Sequence, residues 1–143
     1  TTSGIKTVMM SQNLDRNFIW GTESSLESKL PFFNTLKGEL NHTWLRSDLP
    51  YRPSHKFDST LKWEKGNHHL FIAHQYISAV KTNHPLRNHL SAIHLFDMEA
   101  ALSLSKEISL SAKIENMFNR AYERIACYPM PGRSFYLNLF GAL

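Results

Sequence analysis

The sequence predicts an all-β fold, an antiparallel up-and-down transmembrane β-barrel segment of about eight strands. Apolar and polar residues alternate with a period of two over most of the chain, which is typical of strands, and no stretch has helical periodicity. Long polar connections also alternate with short turns, as in barrels in which one rim carries loops and the other carries tight turns. The charged residues of the clean strands share one parity, which suits a polar interior with lipid against the opposite face.

The first half of the chain predicts four strands. They cover residues 5–10, 18–30, 36–44 and 56–64, and His42 is an exception on the apolar parity of the third. A polar link at 11–17 and a second link at 46–54, which holds two prolines, are predicted to be long loops. The connection at 31–34 predicts a tight turn, and Gly66-Asn67 is a hairpin signal.

The second half predicts four more strands. A strand-like run at 69–80 has apolar residues on both parities, so its register stays open. A loop with Pro85 follows at 81–91. The two cleanest strands come next, joined by a short turn at Lys106-Glu107, and a long polar link at 117–132 precedes the final strand; these three strands cover residues 96–104, 108–114 and 135–140.

The two faces of the predicted strands differ in charge. No Lys, Arg, Asp or Glu falls on the apolar parity of the five clean strands, where a charge facing lipid would cost about 2–4 kcal/mol at the midplane. Trp20 and Trp44 are expected near the outer rim and Trp63 near the inner rim, where aromatic girdles lie. A soluble sandwich with its charged face in water stays open as an alternative. The polar parity holds Glu23, Glu27, Lys37, Glu39, Lys56, Asp58, Lys62, Glu64, Asp97, Glu99, Lys113 and Glu115.

Composition excludes several classes of protein. Hydrophobic residues make up 42% of the 143, which excludes a disordered chain, and no apolar run approaches the ~20 residues of a membrane-spanning helix. The formal charge of +4 comes from scattered basic residues without a Lys/Arg run, so we expect no nucleic-acid partner. Because the chain opens Thr1-Thr2-Ser3-Gly4 without signal-peptide features, we expect that a leader was removed or that this is the back part of something longer.

The last thirty residues carry the most specific pattern. Residues 114–123 read Ile-Glu-Asn-Met-Phe-Asn-Arg-Ala-Tyr-Glu, and residues 128–136 read Tyr-Pro-Met-Pro-Gly-Arg-Ser-Phe-Tyr. Pro131-Gly132 predicts a turn before the final strand. These segments resemble the closing hairpin of the TonB-dependent outer-membrane receptors, which carries E-N-L-F-(D/N)-x-x-Y-E and Y-P-x-P-G-R-x-(F/Y) patterns.

Two earlier segments resemble the same family. Residues 49–57, Leu-Pro-Tyr-Arg-Pro-Ser-His-Lys-Phe, are similar to its (L/P)-P-x-R-P-x-H-(K/R) strand entry. Residues 18–23, Phe-Ile-Trp-Gly-Thr-Glu, are similar to an (A/I)-x-(I/V)-x-G-x-E strand opening. The resemblance implies a large plugged barrel in the bacterial outer membrane that imports a scarce nutrient, such as a ferric siderophore, haem or cobalamin, with energy from the TonB complex.

The resemblance also implies what accompanies this chain. We expect residues 1–143 to form the C-terminal portion of such a barrel, with the plug domain and N-terminal barrel strands absent. Its partners would be those strands and plug, in the same or a separate chain, the TonB complex through the missing N-terminal part, outer-membrane lipid, and a small-molecule or metal-chelate ligand. The last residues lack the aromatic end typical of these barrels, although Phe140 can substitute.

Candidate site residues are few. Loops predicted on the outer side offer five conceivable substrate contacts, of which each is more often a plain solvated residue: Arg46, Asp48, Tyr51, His84 and Arg87. We expect no metal site, because His68 and His69 point to opposite faces of a strand and His84, His89 and His94 are scattered. Cys127, the single cysteine, is expected to be inert because no base is placed beside it. No catalytic motif or cofactor is indicated, so we expect no enzyme.

Three hypotheses follow in order. The first is a receptor component that forms the C-terminal strands of a TonB-dependent barrel. The second is a self-contained eight-stranded outer-membrane barrel with a structural or adhesive role, a size that 143 residues would suit. The third is a soluble all-β binding module. The closing motif favours the first.

Overall fold

The computed structural model describes residues 5–14, 17–29, 35–105 and 107–141. All of its regular structure is strand, and no helix among the described residues is long and apolar enough to cross a bilayer. The strands are β1 (Ile5–Leu14), β2 (Asn17–Lys29), β3 (Leu36–Arg46), β4 (His55–Lys65), β5 (His68–Ile77), β6 (Val80–His84), β7 (Arg87–Leu90), β8 (Ile93–Ser103), β9 (Ile108–Glu115), β10 (Glu123–Ile125), β11 (Tyr128–Pro129) and β12 (Ser134–Gly141).

Eight of the described strands form one antiparallel sheet in the order β1-β2-β3-β4-β5-β8-β9-β12. Each strand pairs with the strand before it in this order, which confirms the all-β, up-and-down prediction. The connections at 47–54, 78–92 and 116–133 all leave from one end of the sheet, hereafter the loop rim. In the described residues β1 and β12 are the outermost strands and no register joins them, so the sheet is a barrel segment that is not closed.

The registers align the two predicted faces across the sheet. On the apolar face, for example, Ile72 lies opposite both Leu61 and Met98, and Met98 lies opposite Ile114. On the polar face, the ammonium group of Lys62 lies 3.1 Å from Glu39 and that of Lys37 lies 3.3 Å from Glu64. The open register of the fifth strand is thereby fixed, with Leu70 and Ile72 on the apolar face.

Three of the predicted loops are corrected. Most of the link at 11–17 is strand, because Ser11 to Leu14 continue β1 and pair with the start of β2, so long and short links do not alternate strictly. Polar residues do not end a strand whose backbone groups are paired. The link at 81–91 instead contains the hairpin β6–β7, and the link at 117–132 contains the hairpin β10–β11. The turn predicted at 31–34 and Lys106 lie outside the described residues.

The tryptophans lie at the two ends of the sheet, as predicted. Trp20 and Trp44 pack edge to face at the loop rim, with ring centroids 4.9 Å apart. Trp63 lies opposite Leu36 and Leu70, towards the other end. The most buried apolar side chains belong to the loop rim: Leu90, Ile93, Leu95 and Ala126. Ile93 and Leu95 stand on the polar-face parity of β8, so the buried cluster begins where the loops fold over that face.

Candidate ligand-contact site in the loop junction

Asn116 anchors the connection at 116–133, hereafter the closing loop, to the end of β9. It is 5% exposed and has a φ of 49°, a left-handed conformation that Asn tolerates better than most residues. Its side-chain amide donates to the carbonyls of Arg120 (2.9 Å) and Pro131 (3.3 Å), and its Oδ1 accepts from the Arg120 amide at 2.8 Å. The backbone amide of Asn116 itself donates to Asp97 Oδ1 at 2.8 Å. One side chain therefore ties both ends of the loop together.

Gly132 and Asn119 form the second tie. Asn119 also has a positive φ, 51°, and its Oδ1 accepts from the backbone amide of Arg133 at 2.9 Å. A Cβ on Gly132 would lie 2.6 Å from the same Oδ1, so a side chain there would push the Asn119 amide out of this contact. The Arg133 guanidinium lies over the Phe135 ring at 5.4 Å. The Glu-Asn and Pro-Gly-Arg patterns of the sequence thus meet in one hydrogen-bonded network.

The hairpins β6–β7 and β10–β11 meet over the end of the sheet, and we call this meeting place the loop junction. Arg87 Nη1 lies 2.6 Å from Glu123 Oε1, and Glu123 Oε2 accepts from the Cys127 backbone amide at 3.0 Å. His84 Nδ1 lies 3.9 Å from Cys127 Sγ and accepts from the Leu86 amide at 3.2 Å. A charge-assisted contact and a thiol–imidazole contact therefore join hairpins that are about forty residues apart in the chain.

The loop junction rests on the polar face of the sheet. Arg124 Nη2 donates to Gln75 Oε1 at 2.9 Å, and Gln75 Nε2 donates to Asp58 at 2.8 Å. The 47–54 connection is tied to β6, because the backbone amide of Tyr51 donates to the Lys81 carbonyl at 2.8 Å. Three connections of the loop rim are therefore held to each other and to the sheet.

Two open cavities lie in the loop junction. The larger, about 440 Å³, is lined by positively and negatively charged side chains, Arg87, Arg120 and Glu123, and by Tyr122. The smaller, about 160 Å³, is lined by Tyr51, Glu123, Arg124, two serines and apolar residues. The buried residues Leu90 and Ile93 line both cavities, so each cavity combines apolar with polar and charged side chains. That combination suits a ligand that carries both rings and ionised groups.

The structure brings three of the five predicted contact residues together. His84 and Arg87 belong to the loop junction, and Tyr51 lines its smaller cavity. Arg46 does not: it stands on the apolar face at the end of β3, with its guanidinium 5.9 Å over the Trp20 ring. Asp48 is exposed in the following connection and lines neither cavity. No ligand contact has been tested for any of the five, so their role stays a prediction.

Sequence reasoning missed the partners that hold this site. Arg120, Tyr122, Glu123 and Arg124 lie in a stretch interpreted as a plain loop, because the turn between β10 and β11 is Ala126-Cys127, which carries no turn signal. Cys127 nevertheless has a positive φ of 62° there. The other hairpin had a signal in Pro85, which favours the second position of a turn. The sequence placed no side chain beside Cys127, whereas the structure places the His84 imidazole 3.9 Å from its sulfur.

Histidines are more ordered than the sequence indicated. His84 and His89 lie in β6 and β7, within the link predicted as a loop, and His94 lies at the start of β8. Among the described residues, no three or more His, Cys, Asp or Glu side chains are grouped closely enough to hold a metal ion. The chemistry that the loop junction offers is therefore ionic and aromatic contact: the guanidinium groups of Arg87 and Arg120, the Tyr122 ring and the Glu123 carboxylate.

Solved structures share this arrangement of strands. A mutant of the ferric enterobactin receptor PfeA from Pseudomonas aeruginosa matches 87% of the chain with a TM-score of 0.71 and 21% identity. The ferric-catecholate import receptor Fiu from E. coli K12, in its open form, matches 87% with a TM-score of 0.74 and 15% identity. The copper transporter OprC matches 88% with a TM-score of 0.72 and 16% identity.

The chain has the fold of a section of a TonB-dependent receptor barrel. It spans about a fifth of the length of these receptors: 22% of PfeA, 21% of Fiu and 24% of OprC. Neither a protein-family model nor a curated protein sequence matches the chain. The structural neighbours are transport receptors and not enzymes. The TonB-dependent fold therefore accounts for the eight-stranded sheet and for the long connections at one rim.

Proposed function

We propose that the chain forms the C-terminal strands of a TonB-dependent outer-membrane receptor, which takes up a scarce nutrient with TonB-derived energy. The observation that carries the proposal is the structural match of 87% of the chain to import receptors for ferric enterobactin and ferric catecholates, and of 88% to a copper transporter. The Asn116 and Gly132 network supports it, because it joins the two sequence segments that resemble the family's closing hairpin.

The unpaired edges support a receptor component over a self-contained barrel. Unpaired strand edges are prone to aggregation, and in the described residues β1 and β12 each have one. The remaining barrel strands would pair with both edges, and a plug domain would fill the polar interior. The exposed apolar face argues against a soluble module, because Leu137 is 72% and Leu139 is 69% exposed there.

Under this proposal the loop junction contacts the ligand. Arg87, Arg120 and Tyr122 would face an anionic metal chelate with aromatic groups, such as a ferric siderophore; haem and cobalamin are further candidates. Tyr51 and His84 would lie at the margin of the same contact. TonB would act through the N-terminal part of the receptor, outside this chain.

Co-expression tests the proposal. The chain would be secreted alone, or together with the upstream barrel strands and plug, and outer membranes would be assayed for heat-modifiable gel mobility and for uptake of radiolabelled ferric siderophore. We expect aggregation of the chain alone, and a heat-modifiable barrel with uptake when the parts are combined. A folded, detergent-soluble barrel from the chain alone would overturn the proposal in favour of a small closed barrel. A folded combined barrel that takes up neither ferric siderophore, haem nor cobalamin would overturn the transport role.

A further inference from the structure

Four histidines form two contacting pairs on the apolar face near the loop rim, and we call them the imidazole belt. His42 Nε2 lies 3.2 Å from His55 Nδ1, with the two rings within 5° of parallel. His74 Nε2 lies 3.3 Å from His94 Nδ1, with the rings within 10° of parallel. Both distances fit an N–H···N hydrogen bond. The four rings therefore lie as two hydrogen-bonded pairs on neighbouring strands.

Aromatic side chains hold the imidazole belt in place. His42 stacks on Phe57 with centroids 4.1 Å apart, and Tyr76 lies opposite both Phe57 and His94 in the sheet. His74 stacks on Phe96 at 4.4 Å, and its Nδ1 lies 3.4 Å from the Ser59 hydroxyl. Among the described residues, Nε2 of His55 and of His94 has no hydrogen-bond partner within the protein. Each pair thus keeps a polar atom free for a molecule outside.

The charged side chains on the apolar face are all positive. Among the described side chains of this face in β2 to β5, β8, β9 and β12, none is a carboxylate. The two charged side chains there are both positive: Arg46 lies at the loop rim and Lys65 at the opposite end. Towards its middle the face carries Leu61, Ile72 and Met98. The imidazole belt lies between these apolar residues and the loop rim. In a bilayer that boundary is where the headgroups meet the acyl chains.

We propose that the imidazole belt, together with Arg46, is a docking surface for the phosphate groups of anionic lipid. Imidazole N–H groups and the Arg46 guanidinium donate to phosphate oxygens, while the apolar residues next to them contact the acyl chains. This inference rests on the proposed function, because it requires the apolar face to meet a membrane. It adds a lipid class and a site to that function.

The groups that face the imidazole belt would not repel a phosphate. They are Thr22 and Ser24 of β2, Arg46 of β3, Ser59 of β4, Tyr76 of β5 and Phe118 of the closing loop, none of which is a carboxylate.

The experiment uses the barrel that contains this chain, assembled with its remaining strands in nanodiscs of zwitterionic phosphatidylcholine with added phosphatidylglycerol. Retained phosphatidylglycerol is counted by native mass spectrometry. We expect preferential retention of phosphatidylglycerol over phosphatidylcholine. Arg46→Gln should lower this preference about fivefold, the effect of one cation at an anionic surface. The quadruple variant His42→Leu/His55→Leu/His74→Leu/His94→Leu removes the ring N–H donors and should lower it as well. The matched control, His69→Leu/His89→Leu, replaces exposed histidines outside the belt and should leave it unchanged.

Each outcome decides the inference. Equal retention of the two lipids by the folded barrel would overturn the docking surface and leave the proposed receptor intact. Failure of the barrel to insert even into phosphatidylcholine would instead overturn the membrane role on which both rest. Displacement of the lipid by an equal concentration of inorganic phosphate would show a general anion site and overturn the lipid assignment. Loss of retention on adding a chelator would show a metal-dependent site and also overturn it.

Discussion

At the scale of the residue, Asn116 shows how one side chain fixes a loop of eighteen residues between β9 and β12. Its amide and Oδ1 make three hydrogen bonds, to Arg120 and Pro131, and its backbone adopts a conformation that few residues accept. The sequence pattern singled this residue out through its place in the Glu-Asn segment. Its partners became visible only in the folded chain.

Replacing Asn116 with Ala should destabilise the barrel by about 2–3 kcal/mol, because a buried position loses its hydrogen bonds and the left-handed backbone becomes strained. The measurement is the free energy of unfolding in urea, in lipid vesicles, for the barrel containing this chain. Asn138→Ala is the control, since Asn138 is exposed and makes one bond of 3.3 Å to Ser111. Equal losses for the two variants would contradict the anchoring role.

At the scale of the element, the pairing of β2 with β3 depends on close backbone approach at Gly21. This glycine is buried opposite Leu45, and a Cβ built on it would collide with the Trp44 carbonyl oxygen and lie 2.8 Å from Leu45 Cδ2. Gly38, in the neighbouring strand, has nothing within 4 Å of the same position. Two glycines of adjacent strands therefore serve different purposes.

Gly21→Ala should cost about 1–3 kcal/mol in the free energy of unfolding, because backbone must shift to make room for the methyl group. Gly38→Ala should be neutral or stabilise by about 0.4–1 kcal/mol, since it only reduces the freedom of the unfolded chain. Both values come from the same urea titrations. If Gly38→Ala proves the more damaging of the two, the register of β2 and β3 is wrong.

The hairpin β10–β11 depends on Glu123 in the same way that the closing loop depends on Asn116. Glu123 pairs with Arg87 and accepts from the Cys127 amide. Glu123→Gln keeps an acceptor for the amide but loses the ion pair with the other hairpin. We therefore expect faster hydrogen–deuterium exchange in residues 123–129, with exchange in β12 unchanged.

Lys37→Gln provides the comparison for Glu123. It breaks an exposed ion pair with Glu64 within the sheet, far from the loop junction, and exposed pairs contribute little to stability. Exchange in residues 123–129 should therefore stay at its original rate in this variant. Unaltered exchange in the Glu123→Gln variant as well would mean that the ion pair does not hold the two hairpins together.

At the scale of the whole molecule, the two faces of the sheet decide how it meets its surroundings. Neighbouring positions of β4 make the contrast: Leu61 stands on the apolar face, whereas the Thr60 hydroxyl donates to Glu39 on the polar face at 3.1 Å. The same division runs across the sheet from β2 to β12. The proposed receptor function would put a bilayer against the apolar face and a polar interior against the other.

Leu61→Arg should therefore impair insertion by about 2–4 kcal/mol, the cost of a charge near the bilayer midplane. Thr60→Arg should be tolerated, because its guanidinium reaches the Glu39 carboxylate. The measurement is the fraction of folded barrel in lipid vesicles at increasing urea concentrations, read from heat-modifiable gel mobility. A larger loss for Thr60→Arg would mean that the faces are reversed or that the sheet folds in water.

The sequence by itself determined the eight strands of the sheet and the faces of the five that alternate cleanly, because the alternation of side chains has a period of two within each strand and needs no distant partner. It also placed Trp44 and Trp63 at opposite ends of the sheet. Only the tertiary structure decided the register of β5, whose apolar residues stand on both parities and which is fixed by β4 and β8. It alone brought His84 beside Cys127, 43 residues away, and Arg87 beside Glu123. Such contacts depend on how long connections fold back over the sheet, and no local pattern of residues records that path.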